Sequence, residues 1–318
     1  MWAECTLRGI PNDYRFTFDY LKKHCHELVI LNLGSSHGDN CINPDYFHHP
    51  AFNAGISGQT LEYDYAFFNT FYDSLDRLQV LILPISYFSL NCQELCYKST
   101  RKIQDEGEKN FIYGENIKAL YYKLYCPFSN HPIHRHFLFI RTLPFSNVRS
   151  ALLGNVRKRL LGNPKTNGIG MAANGSTMLY GKFDPREQQK HIQESIVVDK
   201  RRSSALPTRN NERVEAMVKQ CKKRNIQVML LSTPVADVYR EGCNPMQWKY
   251  VQEKCEQWER EYDNVTYINM FASPRFTYSD FSDCHHLNKD GAKKLTLILD
   301  SVIENSLIPQ SQGTTYED

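Results

Sequence analysis

Leu28-Val29-Ile30-Leu31-Asn32-Leu33, followed at once by Gly34-Ser35-Ser36-His37-Gly38, is the stretch on which the reading of this chain turns. The run is too short for a helix of ordinary length and almost wholly apolar. A half-exposed strand would alternate, so this one predicts a strand covered on both faces. The glycine and serines then break the run, and a serine there suits the start of a helix. The same signature recurs along the chain. A short apolar piece from Phe52 to Ile56 ends at Ser57-Gly58, and Val80-Leu81-Ile82-Leu83-Pro84-Ile85 is a third run. Ile226 to Leu231 and Val265 to Met270 follow much later. Between the runs, apolar residues fall at three- and four-residue steps: Leu61, Tyr65, Phe68, Tyr72 and Leu75; Val214, Met217 and Val218; Trp248, Val251, Cys255 and Trp258; Ala292, Leu295, Leu299 and Val302. Apolar strands alternating with amphipathic helices predict an α/β protein with a doubly wound parallel sheet. No internal repeat is visible.

The length, 318 residues, fits one enlarged α/β domain or two smaller ones. With 41% hydrophobic and 23% charged residues, the chain is not of the disordered class. The net charge of +3 gives no sign of a nucleic-acid partner. No apolar run reaches membrane-helix length, and Met1–Asn12 lacks the basic-then-apolar pattern of a signal peptide, so a soluble chain of open localisation is expected. The ten cysteines include no CxxC pair, which removes zinc-ribbon and thioredoxin readings; Cys92 and Cys96 read as ordinary thiols, and the redox compartment stays open.

Between Leu90 and Ala205 the strand–helix rhythm stops. Residues 116–183 hold ten Lys and Arg and no Asp or Glu, so +10 sits here and −7 in the remainder. The expectation is an α/β domain made of residues 1–90 and 206–308, a basic insertion or cap over 91–205, and a disordered tail over 309–318. The basic stretch suits a solvated insertion, or a surface for an anionic partner such as an acidic glycan or a membrane surface. Asn163–Gly175 reads as a loop, and Gly168 and Gly170 follow no strand, which argues against a dinucleotide fingerprint. His131, His134 and His136 have no Cys or acidic pair beside them, and no metal site is expected.

In an open parallel sheet, ligands bind beyond the carboxyl ends of the strands. Those ends carry Gly34–Gly38, Asn53–Thr60 and Ser86–Ser89, and Asp283-Cys284-His285-His286-Leu287-Asn288 precedes the last helix. A hydroxyl nucleophile needs a base within hydrogen-bond reach and a group that orients the base. Ser36 offers the hydroxyl, and Asp283 and His286 are spaced so that one turn can present carboxylate and imidazole together. His285 is a rival base and Asp280 a rival orienting acid. Ser232-Thr233-Pro234 ends a strand on the same rim. Asn174-Gly175-Ser176 and Asn264-Val265-Thr266 fit the glycosylation triplet, which is common by chance.

With these residues in view, the chain resembles the SGNH hydrolase superfamily, the GDSL-like lipases and acylhydrolases. Gly34-Ser35-Ser36 is similar to the family's Gly-Asp-Ser block in a divergent Gly-Ser-Ser form. Asn53 to Thr60 is similar to the second block, and Asp283 to Leu287 to the Asp-x-x-His-Leu block. The resemblance implies a flavodoxin-like, three-layer α/β/α sheet domain. It also implies Ser36 as nucleophile, His286 as base and Asp283 as its orienting acid. Ser36 and Gly58 would be oxyanion donors, with Ser86 standing where the third block has Asn. His37, Asn53 and Gln59 are the expected substrate contacts. The expected activity is hydrolysis of short-chain, acetyl-like esters on a small-molecule or polysaccharide carbohydrate, with no cofactor. A polysaccharide O-acyltransferase on the same three residues, or a silent glycan- or partner-binding relative, are the alternatives.

Overall fold

The structure, a computed structural model, describes residues 13–91, 171–202 and 209–307. Five strands form one parallel sheet: β1 Ile30–Asn32, β2 Ala51–Asn53, β3 Val80–Pro84, β4 Gln227–Ser232 and β5 Val265–Asn269. Their order is β2-β1-β3-β4-β5, the flavodoxin-like doubly wound arrangement expected from the sequence. Ile30 lies opposite Ala51 on one side and Val80 on the other, and Val80 opposite Gln227. The chain reverses its winding direction at β1, so the crevice for a ligand lies between the loops after β1 and β3.

The helices, in chain order, are α1 Asp13–His24, α2 Ser36–Asp39, α3 Leu61–Phe71, α4 Gln189–Arg202, α5 Asn210–Lys223, α6 Asp237–Arg240, α7 Pro245–Glu261 and α8 Lys289–Val302. Strand residues alternate between two buried clusters, which explains why the runs are apolar throughout. Leu31, Leu81, Leu83, Val228 and Leu230 join α1, α3, α5 and α7 on one face. Ile30, Val80, Ile82, Met229 and Leu231 join Ile192 and Ile196 of α4, Tyr239 of α6 and Leu295 and Leu299 of α8 on the other. Each such side chain contributes about 1.5–3 kcal/mol by leaving water. Three layers result.

Two of the longer helices have no counterpart in the periodicity reading. α1 buries only Tyr14, Thr17 and Leu21, and a Thr in the middle of its stripe hides the pattern. α4 lies within the segment expected to form an insertion, and its neighbourhood is sewn to the sheet body. Asn53 donates its N–H to Asn174 O (3.0 Å), Phe183 to Phe281 O (3.1 Å) and Lys289 to Leu179 O (2.8 Å). The α/β body therefore takes in residues 171–202. Gly175 fits against Asn53 because it has φ of 86° and no Cβ, which would lie 1.9 Å from Asn53 O. Cys92, Cys96, the histidines at 131, 134 and 136, Gly168, Gly170, most of the basic stretch and the tail 309–318 lie outside the described residues. Among the described residues no helix is long and apolar enough to cross a membrane.

Candidate active site

The turn after β1 is held from three sides. Gly34 has φ of 109°, a region that L side chains avoid, and an added Cβ would press on the Pro84 ring at 3.2 Å. Ser35 then caps α2, its hydroxyl accepting from the His37 N–H (3.4 Å) and its carbonyl from Gly38 and Asp39. Ser36 is thus the first residue of a one-turn helix. Below it, the buried Asp64 accepts from Gly34 N–H (2.7 Å) and from Gln59 Nε2 (2.6 Å) through one oxygen. Burial raises this carboxyl to about 7, against the opposing pull of those two hydrogen bonds.

Asn53 braces the same turn from the β2 side. Its Nδ2 donates to Gly38 O (2.9 Å) and Ile42 O (2.8 Å), while its Oδ1 accepts from Gly55 N–H (2.9 Å) and Asn32 Nδ2 (2.7 Å). The side chain is fully buried. Expected as substrate contacts, Asn53 and Gln59 are instead committed to internal bonds that shape the Ser36 turn. Asn264 is likewise buried, donating to Val218 O and Ile226 O, so it is no glycan acceptor.

The structure brings Ser36, His286 and Asp283 into one chain of hydrogen bonds. His286 Nε2 lies 2.8 Å from Ser36 Oγ, and His286 Nδ1 lies 2.8 Å from Asp283 Oδ2. The turn is self-bracing: Asp283 Oδ1 accepts from the N–H groups of His285 (3.0 Å) and His286 (2.9 Å), and Ser282 N–H donates to His286 O (2.9 Å). Asn288 closes it by capping α8 through Asp290 and Gly291 N–H. Burial alone would raise Asp283. The facing His286, with His191 and His285 beyond it, holds the carboxyl far below the usual range instead. A carboxylate only accepts, so the Nδ1 of His286 carries the proton and its Nε2 lone pair faces the Ser36 hydroxyl.

The rivals have other partners. His285 turns its Nδ1 to Cys284 Sγ (3.3 Å) and lies 3.6 Å from Asp283 Oδ1. Asp280 accepts from Thr277 N–H (2.9 Å) and pairs with Lys294 (2.9 Å). Ser232 Oγ donates to Ile85 O (3.1 Å) and meets Tyr267 OH (2.9 Å) inside the sheet. Burial pushes the Cys284 thiol up to about 12, which removes it as a nucleophile near neutrality. His191 of α4 was not foreseen. Its Nε2 lies 3.7 Å from Asp283 Oδ2, and that facing carboxylate raises its pKa in spite of partial burial.

The expected oxyanion donors divide. Ser36 N–H opens α2, where the helix presents unsatisfied donors. Gly58, with φ of 81°, sits in a half-exposed turn joined to the nucleophile turn by Ile56 N–H on Gly34 O (2.9 Å) and by Ser57 Oγ on Asp39 (2.9 Å). Ser86 departs from the expectation. Its Oγ is 2.8 Å from His37 Nδ1 and its N–H donates to Ser89 Oγ (2.9 Å). His37 is thereby fixed in the wall, its ring edge-on to His286 at 5.6 Å between centroids.

One family model matches residues 188–308, the part that carries Asp283 and His286. No curated protein matches the chain. Among solved structures, one from Streptococcus pneumonia, whose name refers to platelet activating factor, is similar over 93% of each chain, at 11% identity and a TM-score of 0.41.

Proposed function

We propose that this protein is an SGNH-type serine acylhydrolase acting on short-chain, acetyl-like esters carried by carbohydrate. The observation that supports this reading is the unbroken pair of 2.8 Å bonds from Ser36 through His286 to Asp283. Ser36 Oγ attacks the ester carbonyl as His286 Nε2 takes its proton, and the Asp283 carboxylate faces the imidazolium that forms. The oxyanion of the tetrahedral intermediate points to the N–H groups of Ser36 and Gly58. Collapse expels the sugar hydroxyl, which receives the proton from Nε2. Water, deprotonated by His286, then attacks the acyl-Ser36 and releases the acid.

The reaction as written uses no metal or organic cofactor. The carbohydrate ester rests on the resemblance of the three sequence blocks. An anionic glycan or membrane surface facing the basic stretch is a weaker part of the proposal.

A silent binding relative is favoured by one observation, the tie of Ser86 to His37. It takes away the side-chain donor that the third block supplies, and such a donor is worth roughly 3–4 kcal/mol in other hydrolases. p-Nitrophenyl acetate turnover, with Ser36→Ala alongside, decides. Turnover that disappears in the variant supports the acylhydrolase. Equal rates in both proteins, or labelling of neither by a fluorophosphonate, would reject it. Turnover that rises on adding a sugar acceptor would make the protein a transferase working through the same acyl-Ser36.

A further inference from the structure

His37, His285 and His286 converge beside Ser36, one nitrogen from each lying within 4.8 Å of the others. Their rings are 3.9 to 5.6 Å apart between centroids. Each imidazole is held from behind at Nδ1. Ser86 Oγ is 2.8 Å from that atom of His37 and Asp283 Oδ2 is 2.8 Å from that of His286. Cys284 Sγ is 3.3 Å from that of His285, with Asp283 Oδ1 at 3.6 Å. Histidines that bind metals are oriented in this way, the far nitrogen bonded to a hydroxyl or carboxylate and Nε2 turned to the ion. The carboxylate of Asp283 behind the His286 ring strengthens the likeness.

We propose that these three imidazoles form a site for a borderline transition cation, Zn²⁺ above all, and that the bound cation silences Ser36. Three nitrogen ligands suit zinc, copper or nickel, whereas calcium and magnesium require oxygen. Three nitrogens no more than 4.8 Å apart have a common centre at most about 2.8 Å from each, so each moves inward by at most about 0.7 Å to reach the zinc–imidazole distance. Access is from the side of Ser36 and His286, whose ring keeps 16% of its surface exposed. A cation on His286 Nε2 occupies the lone pair that must accept the Ser36 proton. Binding and catalysis are therefore exclusive. The site itself stands on geometry alone, while the silencing rests on the acylhydrolase reading.

The test titrates chelator-treated, metal-free protein with Zn²⁺ against a chromogenic chelator, and with Co²⁺ followed by visible absorption. Fluorophosphonate labelling of Ser36 is measured in the same samples. One Zn²⁺ per chain is expected, with Co²⁺ giving the intense bands of a four-coordinate site and labelling falling in step with occupancy. His285→Ala and His37→Gln should each weaken Zn²⁺ binding at least tenfold. Ser86→Ala, which leaves the three rings in place and removes one support, should weaken it roughly tenfold and decides the matter if the other variants do not fold. Unchanged affinity in folded variants would overturn the site. Stoichiometric Zn²⁺ binding with undiminished labelling would overturn the silencing. No labelling of the metal-free protein would sink the acylhydrolase reading and the silencing together, while the affinity comparison would still decide the site.

Discussion

Replacing Asp64 by Asn should stabilise the protein at pH 8 and leave it almost unchanged at pH 4. The carboxyl is 2% exposed and supports the nucleophile turn through Gly34 N–H. Burial moves its pKa from 3.8 to about 7, the hydrogen bonds from Gln59 and Gly34 opposing the shift. A carboxyl whose native pKa lies above its unfolded value holds more protons when folded. Its contribution is therefore intact below pH 3.8 and is lost as pH rises toward 7. A shift of about 3 pK units at about 1.4 kcal/mol each amounts to about 4 kcal/mol by pH 8. Asn keeps an oxygen that accepts from Gly34 and Gln59 but never ionises, so the variant lacks this slope. Groups elsewhere titrate alike in both proteins and cancel in the difference. Urea unfolding at pH 4, 5, 6, 7 and 8 measures it. Any misfit of the amide shifts the whole line equally and leaves the slope intact. A difference that stays flat from pH 4 to 8 would refute the reasoning.

The other expectations concern the catalytic hydrogen bonds and the edges of the fold. Asp283→Asn removes the acceptor that fixes the His286 tautomer, and kcat for p-nitrophenyl acetate should fall roughly 10⁴-fold with the fold intact by circular dichroism. Gly34→Ala forces a Cβ onto Pro84 at an unfavourable φ. It should cost about 1–3 kcal/mol in urea unfolding and slow turnover by displacing Ser36. His48 is tied to Asp300 through its ring (2.5 Å) and its N–H (2.9 Å), and the ring's bond raises its pKa. That contribution is complete below pH 6.5 and lost as pH rises through the raised native value. The Tm deficit of His48→Ala should accordingly be largest near pH 6 and shrink by pH 9; a deficit that grows with pH would reverse the assignment.

The sheet was legible because both faces of the inner strands are covered, which forces unbroken apolar runs. The Ser36, Asp283 and His286 grouping was legible because turn chemistry is local: three residues suffice to place carboxylate and imidazole on one bend. What the sequence hid depends on contacts across the fold. In α3 the expected stripe is buried at Leu61 and Phe68 but only half-buried at Tyr65, while Phe67, Phe71 and the carboxyl of Asp64 also face inward. No hydropathy pattern marks a carboxyl taken inside to hold a backbone N–H. Asn53 and Gln59 were read by nearness to the site, yet an amide with two donors and an acceptor is also the residue best suited to brace a turn. His191 was missed together with α4, whose inward side offers little beyond Ile192 and Ile196. Ser86 lies at the foreseen strand end, but which neighbour its hydroxyl would choose was a matter of rotamer.

The chain that joins β3 to β4 leaves the sheet at Ser86, against His37, and returns along α4, where His191 meets Asp283. This single connection is thus fastened twice, at Ser86 to His37 and at His191 to the bend of Asp283, while every strand and Ser36, His286 and Asp283 lie outside it. Exchange of sequence within the β3–β4 connection can therefore proceed without altering the strands or the Ser36–His286–Asp283 grouping, provided that the two fastening points are kept.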